Sequence, residues 1–276
     1  MKILKTMPLI LLSTMAIASE SHELKQLGTM DQGKASYKRA VEWARNNPGK
    51  APALTPIEDY AIFGKEGLPH PGSGVHVMPL NQMHYDKSQL MKIKGNVSAL
   101  ENHGYIKEYN VNAKNLLNFK QTAINEYSSN THLHEQSSHL RHKASELKMA
   151  YDYQELPAVL VNEVIGFAPE CTFIKSGWTG AVEFFTPKNI DGICSYHEVN
   201  IQLTGGSANL AKEIISRQVN NKITIVETSG NSISGYEYNI EWWDNNFRHV
   251  LECASKTFSP EIKDETLKLA VNIDKR

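Results

Sequence analysis

"EYNIEWWDNNFRHVLEC", residues 237–253, decides how the second half of this chain folds. Tyr238, Ile240 and Trp242 alternate with polar residues before the asparagine pair, and His249, Leu251 and Cys253 alternate after it. Period two is the pattern of a strand with one buried face. A two-residue turn at Asn245 and Asn246 sets Trp242 opposite His249, Ile240 opposite Leu251 and Tyr238 opposite Cys253. A three-residue loop would turn one apolar set to the wrong face, so the pattern fixes the register. Tyr236, Trp243 and Phe247 are read as an aromatic strip on the other face, covered by a helix or, if bare, serving as a surface for another protein.

Around this hairpin, "CTFIKSG", "GAVEFFTP", "ICSYHEVNIQLT" and "KITIVETS" are short β-branched or aromatic runs separated by turn residues. A helix is expected over Ala208 to Val219, capped by Ser207, and a last one begins at Ser259 and Pro260. Upstream, residues 113–155 contain neither glycine nor proline, and Leu133, Ser137, Leu140, Ala144, Leu147 and Tyr151 fall on a 4-3 spaced seam. One long amphipathic helix, about 113–155, is the expectation. "TPIEDYAIF" reads as a capped helix inside a proline- and glycine-rich loop, and Ser98 with Glu101 reads as a capping box on a short helix ended by Gly104. The string "ALENHGYIKEY" resembles the helix–glycine–strand exit of winged-helix domains, which implies nucleic-acid binding; the charge balance and leader set that implication aside.

The fold class is therefore α+β: a helical, loop-rich N-terminal part with the long helix, then an antiparallel sheet packed with a helix, in a cystatin-like or nuclear-transport-factor-like arrangement. The expected organisation is a signal peptide over 1–18, the helical region over 19–156 and the sheet domain over 157–276. Lys2 and Lys5 precede the apolar run Leu9 to Ala18, and Ala16 and Ala18 form an A-x-A site, which is the pattern of a secretory leader. No later stretch has the roughly 20 apolar residues of a membrane-spanning helix. The chain carries 29 basic and 30 acidic residues, and removing the leader leaves 27 against 30. That balance argues against nucleic acid as a partner.

Export makes a disulfide the expected use of two of the three cysteines. Val199, Ile201 and Leu203 define one face of their strand and put Cys194 on the other, so the favoured bridge is Cys171 to Cys194, with Cys253 a buried thiol. "THLHEQSSHLRH", residues 131–142, holds four histidines. On a helix, His132, Glu135, His139 and His142 share a stripe that could grip a divalent cation, but an exposed face offers neither second shell nor pocket. A solvated face is the preferred reading, and no cofactor is expected. A cysteine nucleophile at Cys194 near His197 and His249 lacks motif context. "GSGVH" and "GNSIS" lack a nucleophile elbow, and "LTGGSANLAKEII" lacks a phosphate-loop lysine.

These readings point to an exported, periplasmic or extracellular, non-enzymatic factor that binds another protein. A secreted virulence-type factor is one form of it, and a homodimer through the long helix or a sheet edge another. The alternative is a secreted hydrolase with a non-local Cys/His or metal-assisted site, to which His70, His76 and His84 on the long loop would contribute.

Overall fold

The computed structural model describes residues 59–60, 74–83, 85–129, 135–204, 206–244 and 246–275. The expected leader lies outside the described residues, as do His70, His84 and His132. The described chain has mixed α and β content, with a large, mostly antiparallel sheet and a few helices. Its elements are β1 (Asp59–Tyr60), β2 (Gly74–Met78), α1 (Lys87–His103), β3 (Ile106–Lys107), α2 (Val111–Leu117), α3 (Phe119–Ser129), β4 (Val161–Ile174), β5 (Gly177–Pro187), β6 (Ile193–Asn200), α4 (Ile201–Thr204), β7 (Ser207–Ala211), β8 (Thr224–Asn231), β9 (Gly235–Trp243), β10 (Phe247–Ser255) and α5 (Pro260–Ile273). The 7-stranded sheet runs β3-β8-β9-β10-β6-β5-β4, and the 3-stranded one β1-β2-β7. Only β3–β8 and β2–β7 pair in parallel among the described strands.

The hairpin has the register the pattern demands: Trp242 faces His249, Ile240 faces Leu251 and Tyr238 faces Cys253. That face is the main core. Phe185, Cys194, Tyr196, Ile240, Trp242, Leu251 and Cys253 pack there with Leu269, Ala270 and Ile273 of α5. Ser259 caps α5 by accepting from the Glu261 and Ile262 N–H groups, with Pro260 at the first turn, as expected. The aromatic strip is different from its expectation. Only Trp243 lies across the sheet, buried against Val75, Val77 and Leu210 of the small sheet. Tyr236 continues the core-side row of Tyr238 and packs on Tyr105 and Phe258, while Phe247 meets Tyr151 edge-on.

The bridge is Cys194–Cys253, not Cys171–Cys194. The two cysteines are direct cross-strand partners on β6 and β10. The expectation failed because β6 ends at Asn200, so Ile201 and Leu203 belong to α4 and say nothing about strand parity. Both faces of β6 are buried, and Cys194 shares its side with Tyr196.

Among the described residues, the long helix expected over 113–155 does not form. α2 and α3 end at Ser129, and residues 135–156 form an irregular strap with one 3-10 turn at Ala144–Glu146. Serine, asparagine and histidine hold a helix poorly, and tertiary contacts supply what the helix would have given. Arg141 makes a bridge to Phe167 of β4, and Ala144 and Leu147 pack on Phe167 and Ala181. The expected helix over 208–219 likewise does not form: its start is strand β7, with Ala208 and Leu210 alternating inward beside Val75 and Val77 of β2, and a 3-10 turn follows at Lys212–Ile214. Within "TPIEDYAIF" the two described residues, Asp59 and Tyr60, are strand. Ser98 and Glu101 lie inside α1, which starts earlier, on a capping box of Asp86 with Gln89, and ends at Gly104 in the left-handed region.

Candidate functional site

The second face of the large sheet carries the polar partners of the core residues. On β9 these are Glu237, Asn239 and Glu241; on β10, Arg248 and Glu252; on β6, Ser195 and His197; on β8, Glu227. Such a set is ordinarily solvated. Here it is covered at both ends. The small sheet packs over Ile223, Ile225 and Trp243 at one end, and Leu116 and Leu117 of α2 with Phe119 of α3 pack over Ile193, Ala254 and Phe184 at the other. Between the covers the polar face is only partly exposed, a stretch we term the recess. The side chains of Glu170, His197 and Glu252 retain 20%, 20% and 22% exposure, whereas Glu227 and Asn239 on the neighbouring strands are 3% and 5% exposed.

At the exposed side, His197 Nδ1 lies 3.1 Å from Glu170 Oε2, and Nε2 lies 3.1 Å from Ser195 Oγ and 3.5 Å from Glu252 Oε2. Ser195 Oγ donates to Glu252 at 3.3 Å. Glu170 sits on β4 and His197 on β6, so their contact must pass over β5. It does so at Gly180, which pairs with both Glu170 and Val199; an added Cβ there would lie 3.1 Å from Val199 and 3.3 Å from Glu170. Burial alone would lower the imidazole's pKa, but Glu170 and then Glu252 outweigh it and raise it to about 10. Against the upward push of burial, His197 and Arg248 hold both Glu170 and Glu252 below the usual carboxylate range.

The deeper side is different. Asn239 stands between Glu227 on β8 and Glu252 on β10, with Glu237 and Glu241 two places away on its own strand, so four glutamates surround one asparagine on one face. Arg248 donates to Glu241 Oε1, and Asn110 donates to Glu237 Oε2 at 2.5 Å. Both oxygens of Glu227, Oε1 of Glu237, Oε2 of Glu241 and Oδ1 of Asn239 are buried with no hydrogen-bond partner among the described residues. Burial, then Glu108 and Glu241, raise the Glu227 pKa to about 8, with Lys92 opposing. Burial and then Glu252 carry Glu237 well above the usual range.

The residues singled out from the sequence are dispersed. Glu135 meets Lys148 at 3.2 Å, His139 meets Glu126 at 3.4 Å, and the His142 ring stacks on Tyr127 at 3.7 Å. Among the described residues no three of His, Cys, Asp and Glu stand close enough to hold a metal ion. Cys194 is bridged to Cys253, and His249 lies on the core face beside Tyr196 and Asp244, away from His197. His76 is buried in β2. The "GGSAN" stretch opens a strand, so no helix N-terminus follows it. The recess itself was missed. Its signal was the polar parity in "KITIVETS", "GYEYNIEWW", "FRHVLECAS" and "ICSYHEVN", each of which places Glu or His between its inward residues.

Comparison with models of known protein families, with curated proteins and with solved structures finds no match. A disulfide, and the absence among the described residues of a helix long and apolar enough to cross a membrane, are compatible with export.

Proposed function

We propose that the protein is an exported binding factor and that it recognises its partner through the recess on the second face of the large sheet. The observation that carries this reading is the setting of His197, held between the Glu170 and Glu252 carboxylates beside a buried Ser195. Ser195, His197 and Glu170 have the contacts of a nucleophile, a base and an orienting carboxylate. An imidazole whose pKa is near 10 is already protonated at neutral pH, and cannot take the proton of Ser195. Ser195 is itself 2% exposed and already donates to Glu252. Fixed charges that hold one protonation state serve recognition better than turnover.

The second reading, a secreted hydrolase, is favoured by that same three-residue geometry. A fluorophosphonate probe separates the two. Binding predicts no adduct on Ser195 by intact mass after incubation at pH 7 to 8; an adduct that disappears in His197→Gln establishes the hydrolase. The sheet closing on α5 also suits the cystatin-like or nuclear-transport-factor-like arrangement, an architecture that carries no function of its own.

A further inference from the structure

We infer that the tip of the β8–β9 hairpin, together with the chain that enters α2, is a docking surface for an anionic phospholipid membrane. This goes beyond the binding reading, since it uses none of the recess residues. It starts from a residue that local structure does not call for. The loop between the paired Asn231 and Gly235 is Ser232, Ile233 and Ser234. Turns favour residues that supply unusual φ values or bond their own backbone, which describes Asn231 and the serines but not a β-branched apolar side chain. Ile233 nevertheless stands at the apex, 81% exposed. It is held in place there. Asn231 Oδ1 accepts from the Ile233 N–H at 2.8 Å and from the Ser234 N–H at 3.0 Å. Ser234 Oγ in turn accepts from the Asn110 N–H at 3.0 Å, which fixes Tyr109 and Val111, the exposed neighbours of Asn110, next to this loop. Asn110 also donates to Ser229 and Glu237 and caps α2, so three apolar side chains are displayed to solvent on a rigid frame.

The charges around these side chains select the partner. Lys114 Nζ lies 5.9 Å from the centre of the Tyr109 ring, and Lys107, the register partner of Gly230, is exposed one step from Asn231. Glu108, between Lys107 and Tyr109, is close enough to Glu227 to raise its pKa, which places it on the inner side of this segment. An apolar apex, a tyrosine ring and flanking ammonium groups are the chemistry of the bilayer interface. Ile233 and Val111 enter the acyl boundary, the phenol stays at headgroup level, and the lysine stems lie along the surface with their charges among the lipid phosphates. A folded protein would have to offer a pocket shaped to the apex, whereas a bilayer yields to it. Three side chains and two charges give a weak, reversible contact, strengthened by each lysine near an anionic leaflet.

The test is co-sedimentation of the full mature chain, freed of its apolar leader, with phosphatidylcholine vesicles that contain or lack phosphatidylglycerol. The expected result is saturable binding to the anionic vesicles, much weaker binding to the neutral ones, and release as salt is raised. Ile233→Ser should weaken binding by about tenfold, from the apolar surface it no longer buries. Lys107→Gln and Lys114→Gln should weaken it by about fivefold each. Ile233→Trp should tighten it, with indole emission that shifts to the blue when anionic vesicles are added. All three positions are exposed, so the melting temperatures should not move. The assignment is overturned by no binding to anionic vesicles up to about 1 mM lipid, by equal binding to neutral ones, or by an Ile233→Ser chain that binds as before. A dimer in light scattering that Ile233→Ser dissolves gives the tip to a second copy of the chain and overturns the lipid assignment as well. The fluorophosphonate result is independent of all these outcomes, so failure here leaves the binding reading standing.

Discussion

His197 and Glu227 sit on the same sheet face and respond to pH in different ways. The folded pKa of His197 lies above its unfolded value of about 6.5, so its contribution is fully present below that pH and is lost as the pH climbs toward 10. Glu170 and Glu252 are depressed, so their contribution is present above about pH 4.5 and is lost under acid. Glu227 is an acid raised to about 8, so the fold is penalised increasingly from about pH 4.5 to 8, where the unfolded chain ionises and the folded one does not. Urea unfolding across pH 5 to 10 should therefore show stability falling on the alkaline side. His197→Gln should cost about 3 kcal/mol at pH 7, since it strands two carboxylates. Glu227→Gln should gain on the order of a few kcal/mol at pH 7 and nothing at pH 4. A histidine proton spectrum gives the direct check: the His197 ring should remain in its protonated position through pH 9. A midpoint near 6.5 would mean that the clamp of two carboxylates does not form.

The role of β5 is to keep out of the way. Gly180 leaves the notch through which Glu170 reaches His197, and Gly180→Val would fill it against Val199 and Glu170. Overpacking of this kind costs about 1–3 kcal/mol, and the His197 midpoint should fall with it in the same proton spectrum. On α5 the effect is simpler: Ser259→Ala removes the acceptor for two N–H groups and should cost about 1 kcal/mol in thermal or urea unfolding. What was legible in the sequence follows from locality. The hairpin from Tyr238 to Cys253 and the cap at Ser259 are specified by neighbouring residues, and both have the form their patterns require. Ala208 and Leu210 were misread because their partners, Val75 and Val77, are far away in the chain. The 4-3 seam at Leu140, Ala144 and Leu147 was misread because an irregular strap buries the same three residues against β4 and β5. Polar parity does not by itself distinguish a solvated face from a covered one, because nothing within a single strand reports what covers its other face.

Across the whole molecule, the Cys194–Cys253 bridge ties the central strands β6 and β10 over a separation of 59 residues. A loop of that size corresponds to about 4 kcal/mol in the chain-entropy account, so urea unfolding with and without a strong reductant should differ by roughly 2–4 kcal/mol. The seam named for a helical homodimer is an irregular strap, not a helix, among the described residues 135–156. The β4 edge is interrupted by register shifts at three places and partly occupied by the Arg141 bridge to Phe167, which are features that discourage pairing with a second sheet. The small sheet has another consequence. Its parallel contact joins Gly74–Met78 to Ser207–Ala211, and the Leu80 N–H reaches the Glu213 carboxylate across 133 positions. Contacts so distant close late, because the long intervening loop costs entropy before any pairing repays it. On refolding, the hairpins from β4 to β10 should therefore assemble while Trp243 is still wet, and its indole should dry in a separate, slower step. Until that step finishes, the polar face beneath the small sheet stays wet, so a newly made chain has its large sheet before it has the cover.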